Sequence, residues 1–435
     1  MDLHQQQKLF TFQPRGADKF PPHLNMIPHA DRVSLLKIFD LNRLADTGVL
    51  LGHVIPEKIL DFVFGHPDCN TITGIENRNR DLRTQRTGIY AEPNIGDRKD
   101  WYSDAVFAQQ QLTGVNPTTI EVASDIWINR FADEADRQKN KAMSNLIREK
   151  AASKREKTAS KRLYIQDNSY FRGAIRASPD ATLNSSDGQL FGCAAVSLFQ
   201  LHDDGKLHPL AIVIDFKKSM DNSVVIFNKR LTPDVITTSE ATYWPWHYVK
   251  LFKESIYNSV VNLNKILTLD VSSPSEATDW PWRYAKLCAQ VSDWTRHELT
   301  VHLVNAHFVE EAAIVAVQRA FPNNHIVYRL LEPHWSKTLS LNASARSALV
   351  PQVIAKVVGY TEDQLYAYIN DAYSRFDWQR LYVPEDLETR GFPPGELNSP
   401  RFQNYAYGKN VSDMWKAIRT FVSSVIITEL TDEKV

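Results

Sequence analysis

"HELTVHLVNAH", residues 297–307, sets three histidines at intervals of five in a run that is otherwise almost wholly apolar. From Leu299 to Phe321 apolar residues fall on every side, the pattern of a helix enclosed by others, so His302 and His307 are expected to be buried. A buried imidazole needs a hydrogen-bond partner or a metal for each ring nitrogen, and for a single histidine both outcomes stay open. For two histidines the spacing is informative. Zinc proteases carry H-E-x-x-H, whereas this chain has H-E-x-x-x-H. On an α-helix the extra residue turns the second ring roughly 140° from the first, which excludes that site with Glu298 as its base. A π-helical turn, closed by i to i+5 hydrogen bonds, brings the same two side chains nearly into line. The expectation is a locally widened helix presenting His302 and His307 to one ion, with His297 one turn earlier as a supporting or packing residue.

The rest of the composition is that of an ordinary globular protein: 435 residues, 43% hydrophobic and 23% charged. Fifty Lys and Arg nearly cancel 51 Asp and Glu. No global field steers the molecule to nucleic acid, and membrane contact is expected to be peripheral at most. Three widely spaced cysteines, Cys69, Cys193 and Cys288, give neither a disulfide framework nor a thiolate metal site, and fit a reducing compartment. The amino terminus lacks the apolar core of a secretory signal and no uninterrupted apolar stretch is long enough to span a bilayer, so a cytoplasmic location is expected. Asn-X-Ser triplets at Asn184, Asn342 and Asn410 arise readily by chance.

Along the chain, residues 1–30 are polar and proline-dotted and read as a flexible arm before one large domain, 31–435. Helical spacing begins at "DRVSLLKIFDLNRLADTG" and recurs in "PEKILDFVFG". The basic stretch from Arg137 to Arg162 reads as a solvated helix or insertion. Strand character is concentrated in "FGCAAVSLFQLHDDGKLHPLAIVIDF", two apolar runs around Asp203, Asp204 and Gly205, which predicts a β-hairpin. "SEATYWPWHYVKL" and "SEATDWPWRYAKL" are near copies, starting at Ser239 and Ser275, and mark 239–274 as an apparent insertion or duplication. Thr361 and Gln364 predict a capping box. In "SDMWKAIRTFVSSVIITEL", Met414, Ile418, Phe421, Val422 and Val425 form one apolar stripe that needs a packing partner.

The 71 residues from Trp280 to Val350 resemble the lipoxygenase family without a gap. The resemblance is carried by Trp282, Ala285 and Lys286; by His297, His302 and His307; by Glu310, Arg319, His325 and "LLEPH"; and by Asn342, Ala345, Arg346 and Leu349. It extends upstream to "DWYSDAVFAQQQLTGVNPTTI" and downstream to "YAYGKNVSDMWKAIRTFV". Nothing resembles the family's optional N-terminal β-barrel, as in fungal or bacterial members. The resemblance implies a mainly α, lipoxygenase-type helical catalytic domain with small β-hairpin elements, around a mononuclear non-haem iron or manganese. It implies metal-hydroxide abstraction of hydrogen from the bis-allylic carbon of a linoleate-like polyunsaturated fatty acid, followed by addition of dioxygen to give a hydroperoxide. Carried over by position, His302 and His307 are metal ligands, and neutral imidazoles suit a redox-cycling ion with an open position. His297 supports them; Ala345, Arg346 and Leu349 face the substrate, though ordinary helix packing would also explain Ala345 and Leu349.

The family's third histidine, its asparagine or other weak oxygen ligand, and its terminal carboxylate have no counterpart after His334. The expectation is therefore a domain lacking its C-terminal helices, with an incomplete metal site and an uncovered Met414–Val425 stripe. The alternative is a catalytically inactive member of the same fold that binds lipid or a partner.

Overall fold

In the computed structural model, which describes residues 3–16, 18–31, 71–74, 76–77, 100–152, 163–233, 235–236, 276, 278–335 and 337–430, the runs around Asp203 form the expected hairpin. Its strands are β5 (Val196–Leu201) and β6 (Leu207–Val213), and Gly205 at the turn takes φ +81°, where an added Cβ would also meet the Pro400 carbonyl at 2.9 Å. The hairpin is the centre of something larger. With β3 (Ile120–Val122), β4 (Leu163–Asp167) and β7 (Val225–Phe227) it builds a five-stranded antiparallel sheet in the order β3-β4-β5-β6-β7. Every residue of β5 and β6 is buried, because both faces of the sheet are covered. Tyr164, Phe199, Leu201 and Ile212 point into one core, while Leu163, Ile165, Val196, Leu198 and Val213 point into another. The register shifts between Leu198 and Phe199, where Pro209 lies opposite, so a residue with no N–H to give sits beside a bulge.

One face carries α3 (Asp125–Arg137) and α4 (Lys141–Ala152), whose Met143 and Ile147 are fully buried against the sheet. The basic stretch is thus part of the core up to Ala152, and 153–162 lie outside the described residues. The other face carries α2 (Asp104–Thr113) and α5 (Trp280–Arg296), the latter beginning at the "WPW" of the second near copy. From Trp280 to Ala320 the chain is one helix of 41 residues, by length and composition long enough to cross a membrane, although the sequence shows no uninterrupted apolar run of that length. Its packing against the sheet and against α8 (Glu362–Ser374) is that of a central helix in a folded core. The capping box predicted at Thr361 opens α8, with both of its reciprocal hydrogen bonds made.

Residues 3–16 and 18–31 are docked rather than free, contrary to the expectation of a flexible arm. Helix α1 (Leu3–Leu9) and a two-stranded ribbon, β1 (Phe12–Gln13) and β2 (His23–Leu24), lie on α6 (Val309–Ala320). Three apolar anchors, Phe10, Phe20 and Leu24, are each at most 8% exposed. Phe20 meets Phe308 and Tyr366 edge-on, and Arg319 donates to the carbonyls of Gln7 and Phe10. Polar composition concealed these few well-spaced anchors. The helices expected within 32–48 and 56–65, and the block 239–274, lie outside the described residues. At the other end, α9 (Ala406–Leu430) leaves Met414, Ile418 and Phe421 exposed among the described residues, as expected for an uncovered stripe.

Candidate metal centre

Helix α5 delivers the histidines, and buried polar groups fix its course. Lys286 pairs with Asp104 at 2.5 Å, and Asp104 also accepts from the Trp282 indole at 2.7 Å and from Asn228 at 2.7 Å. Near the far end of α5, the Asp293 carboxylate accepts from Asn116 at 2.7 Å and Gln166 at 2.6 Å. Burial pushes this carboxyl up, and those amide donors only partly offset it.

At His297 the helix widens: His297–Phe308 is π-helical, and Val309–Ala320 resumes as α6. The buried residues of the segment are Leu299, Leu303, Val304 and Phe308. Leu299 and Val304 are five apart and would diverge on an α-helix, so the wider turn keeps them together against Tyr368 and Ile369 of α8. The same period aligns the histidines.

The His302 and His307 Nε2 atoms lie 3.3 Å apart. His302 Nδ1 is 3.3 Å from Glu298 Oε2, and His307 Nδ1 is 3.2 Å from Asn342 Oδ1. The Asn342 amide is oriented by its own Nδ2, which donates to the His307 carbonyl at 2.8 Å. Each Nδ1 faces an oxygen acceptor, the arrangement that favours the hydrogen on Nδ1, and with both hydrogens so placed the two Nε2 lone pairs are directed at one another. Two facing lone pairs repel unless a cation lies between them. A proton can serve: the Glu298 carboxylate holds His302 above the usual imidazole range, while burial and the neighbouring His302 hold His307 below it. A divalent ion can also serve, since nitrogens 3.3 Å apart and each about 2.1 Å from one ion subtend an angle of about 100°. The pair fits two positions of such a site. Among the described residues no group of three or more His, Cys, Asp or Glu comes together to complete it.

His297 stacks beside His302, ring centroids 6.1 Å apart, and stands outside the facing pair. The expected burial of the pair is corrected: His302 keeps 46% of its side chain exposed and His307 is half-buried. An apolar pattern around a helix says that no face is built for water, but the packed partners here lie on the Leu299–Val304 side. Ala345, Arg346 and Leu349 sit together on a second π-helical segment, Ala345–Ile354, which also contains Pro351. Ala345 is buried and Leu349 packs partly buried beside the Val304 and Phe308 cluster. The Arg346 guanidinium is committed to Glu311 at 2.7 Å. Sequence reasoning gave no role to Asn342 and discarded Glu298 along with the protease motif. Asn342 is 0% exposed, so its Asn-X-Ser triplet is not a glycosylation site in this fold. Its signal was there: an amide three residues before Ala345 in the matched pattern.

A sequence profile described as Lipoxygenase matches residues 257–434. Over 427 residues the chain is 43% identical to the manganese lipoxygenase of Pleurotus sapidus, covering 97% of this chain and 59% of that one. It is 26% identical to lipoxygenase 2.2, chloroplastic, of Hordeum vulgare over 76% of this chain and 32% of that protein. A crystal structure of a fungal lipoxygenase from Fusarium graminearum superposes with a TM-score of 0.78 at 34% identity, covering 99% of this chain and 67% of that chain.

Proposed function

The chain belongs to the lipoxygenase family, and on that premise we propose that it takes part in the dioxygenation of a linoleate-like polyunsaturated fatty acid to a hydroperoxide. The chain spans about three fifths of the length of the manganese lipoxygenase it matches. One observation carries it: two imidazoles on a π-helical segment whose Nδ1 atoms are both committed to oxygen acceptors and whose Nε2 atoms face each other at 3.3 Å. His302 and His307 would hold manganese or iron, with the manganese relative favouring the former. When bound, such an ion supplies one-electron redox chemistry toward the fatty acid and dioxygen. The protein's own part is to present two neutral imidazoles, orient them through Glu298 and Asn342, and place Ala345 and Leu349 on a neighbouring helix as an apolar wall for an acyl chain.

A second reading is a lipid- or partner-binding member without turnover, for which the exposed apolar side chains of Met414, Ile418 and Phe421 offer a surface. Manganese or iron content after reconstitution, together with conjugated-diene absorbance on adding linoleate and oxygen, separates the two. Stoichiometric metal with diene formation supports the first; metal-free protein that binds linoleate without diene formation supports the second and overturns the first.

A further inference from the structure

The asparagine that orients His307 is itself clamped. Its second Nδ2 proton goes to Glu311 Oε2 at 3.0 Å, so both amide hydrogens are spent and only Oδ1 is left for the ring. Glu311 is 1% exposed and fully engaged. Arg346 donates to its Oε2 at 2.7 Å and its Oε1 at 3.2 Å, and the backbone N–H of Leu24 donates to Oε1 at 2.8 Å. The Arg346 side chain is 9% exposed and lies over the Phe308 ring at 5.9 Å. These contacts bring four elements to one carboxylate: the N-terminal ribbon, α6, α7 (Thr338–Ser344) and the second π-helical segment.

We propose that Asn342 and Glu311 are positioning residues for His307: Glu311, held by Arg346 and by the docked ribbon, fixes the Asn342 amide, which fixes the His307 ring in the Nδ1–H tautomer with Nε2 free toward His302. Were the amide reversed, its NH2 would face the ring and Oδ1 would face the Glu311 carboxylate and the His307 carbonyl, a repulsive arrangement at three contacts. The buried ion pair thus supplies direction rather than net stability. Arg346, assigned to the substrate from the sequence, instead belongs to this clamp. The consequence for metal affinity rests on the reading of His302 and His307 as ligands; the ring orientation does not.

The test uses the full chain. NMR of metal-free protein carrying isotope-labelled histidine, at a pH where the rings are neutral, reports the tautomer, and manganese titration reports affinity. Wild type shows His307 as the Nδ1–H tautomer. N342L and E311Q lose that preference and bind manganese about 10–100-fold more weakly, the range for removing a hydrogen-bond partner of a metal-ligating histidine. If E311Q does not fold, E311Q/R346M removes both charges and serves in its place. A folded N342L whose His307 tautomer is unchanged overturns the proposal. Wild type that binds no manganese, while the tautomer responds as described, sustains the positioning roles and sinks the metal reading; the reverse pattern sustains the metal reading and sinks the positioning roles.

Discussion

Replacing Asp104 by Asn tests whether the buried pair under α5 holds the histidine helix in place. Asp104 and Lys286 are 5% and 0% exposed, and the carboxylate takes donors from Lys286, Trp282 and Asn228 at once. Breaking a buried pair from one side costs about 3–5 kcal/mol, because the surviving charge is left without its partner. Unfolding entropy of about 2.1 cal/mol/K per residue over 435 residues is about 0.9 kcal/mol/K, so D104N should lower Tm by about 3–5 °C. K286M should cost a similar amount. Because each single change already forfeits the same interaction, the double variant D104N/K286M should fall short of the sum by about 1–3 kcal/mol. Chemical denaturation of the four proteins at one pH measures this cycle. The pH dependence supplies a second check. Burial alone would raise the Asp104 carboxyl, but the Lys286 ammonium and the Trp282 and Asn228 donors overcome it and hold the group below its ordinary 3.8. A depressed folded value means the contribution is present above the unfolded pKa and is lost as pH falls through the folded one. D104N should therefore lose part of the acid limb of the stability curve. Additivity within about 0.5 kcal/mol, or an acid limb identical to wild type, would refute the coupling.

Further outcomes follow from other residues. H302A and H307A should each abolish stoichiometric manganese by elemental analysis while H297A keeps it; metal retained by H302A or H307A places the ion elsewhere. Gly391 has φ +83°, and an added Cβ would stand 2.0 Å from Val122 Cγ2, so G391A should destabilise by about 1–3 kcal/mol or more in denaturant titration. On α9, Ile418 and Phe421 are 51% and 59% exposed, so I418E/F421E should reduce self-association and dye binding while changing stability by no more than about 0.5 kcal/mol. Unchanged association in light scattering would show that the stripe is not the sticky surface.

The sequence carried the local rules. Five-residue spacing left a helix wider than α as the way to bring both histidine rings to one ion, and the structure has one at His297–Phe308. Asp204-Gly205 between apolar runs required a hairpin, and Thr361 with Gln364 required a helix start; both are present. The docking of residues 3–16 and 18–31 was not legible, because three anchors among polar residues have no period. The exposure of His302 was misjudged because periodicity reports which faces are apolar, not which are covered. By itself the sequence determined the family, the widened helix and the two imidazoles, since these depend on spacing along one chain. Which way each ring points was decided only in three dimensions, where Glu298 and Glu311 lie about a turn from the rings on the same long helix but Asn342, Arg346 and Leu24 converge from other elements; hydrogen-bond direction is set by the last donor in such a set, and no stretch of sequence contains them all.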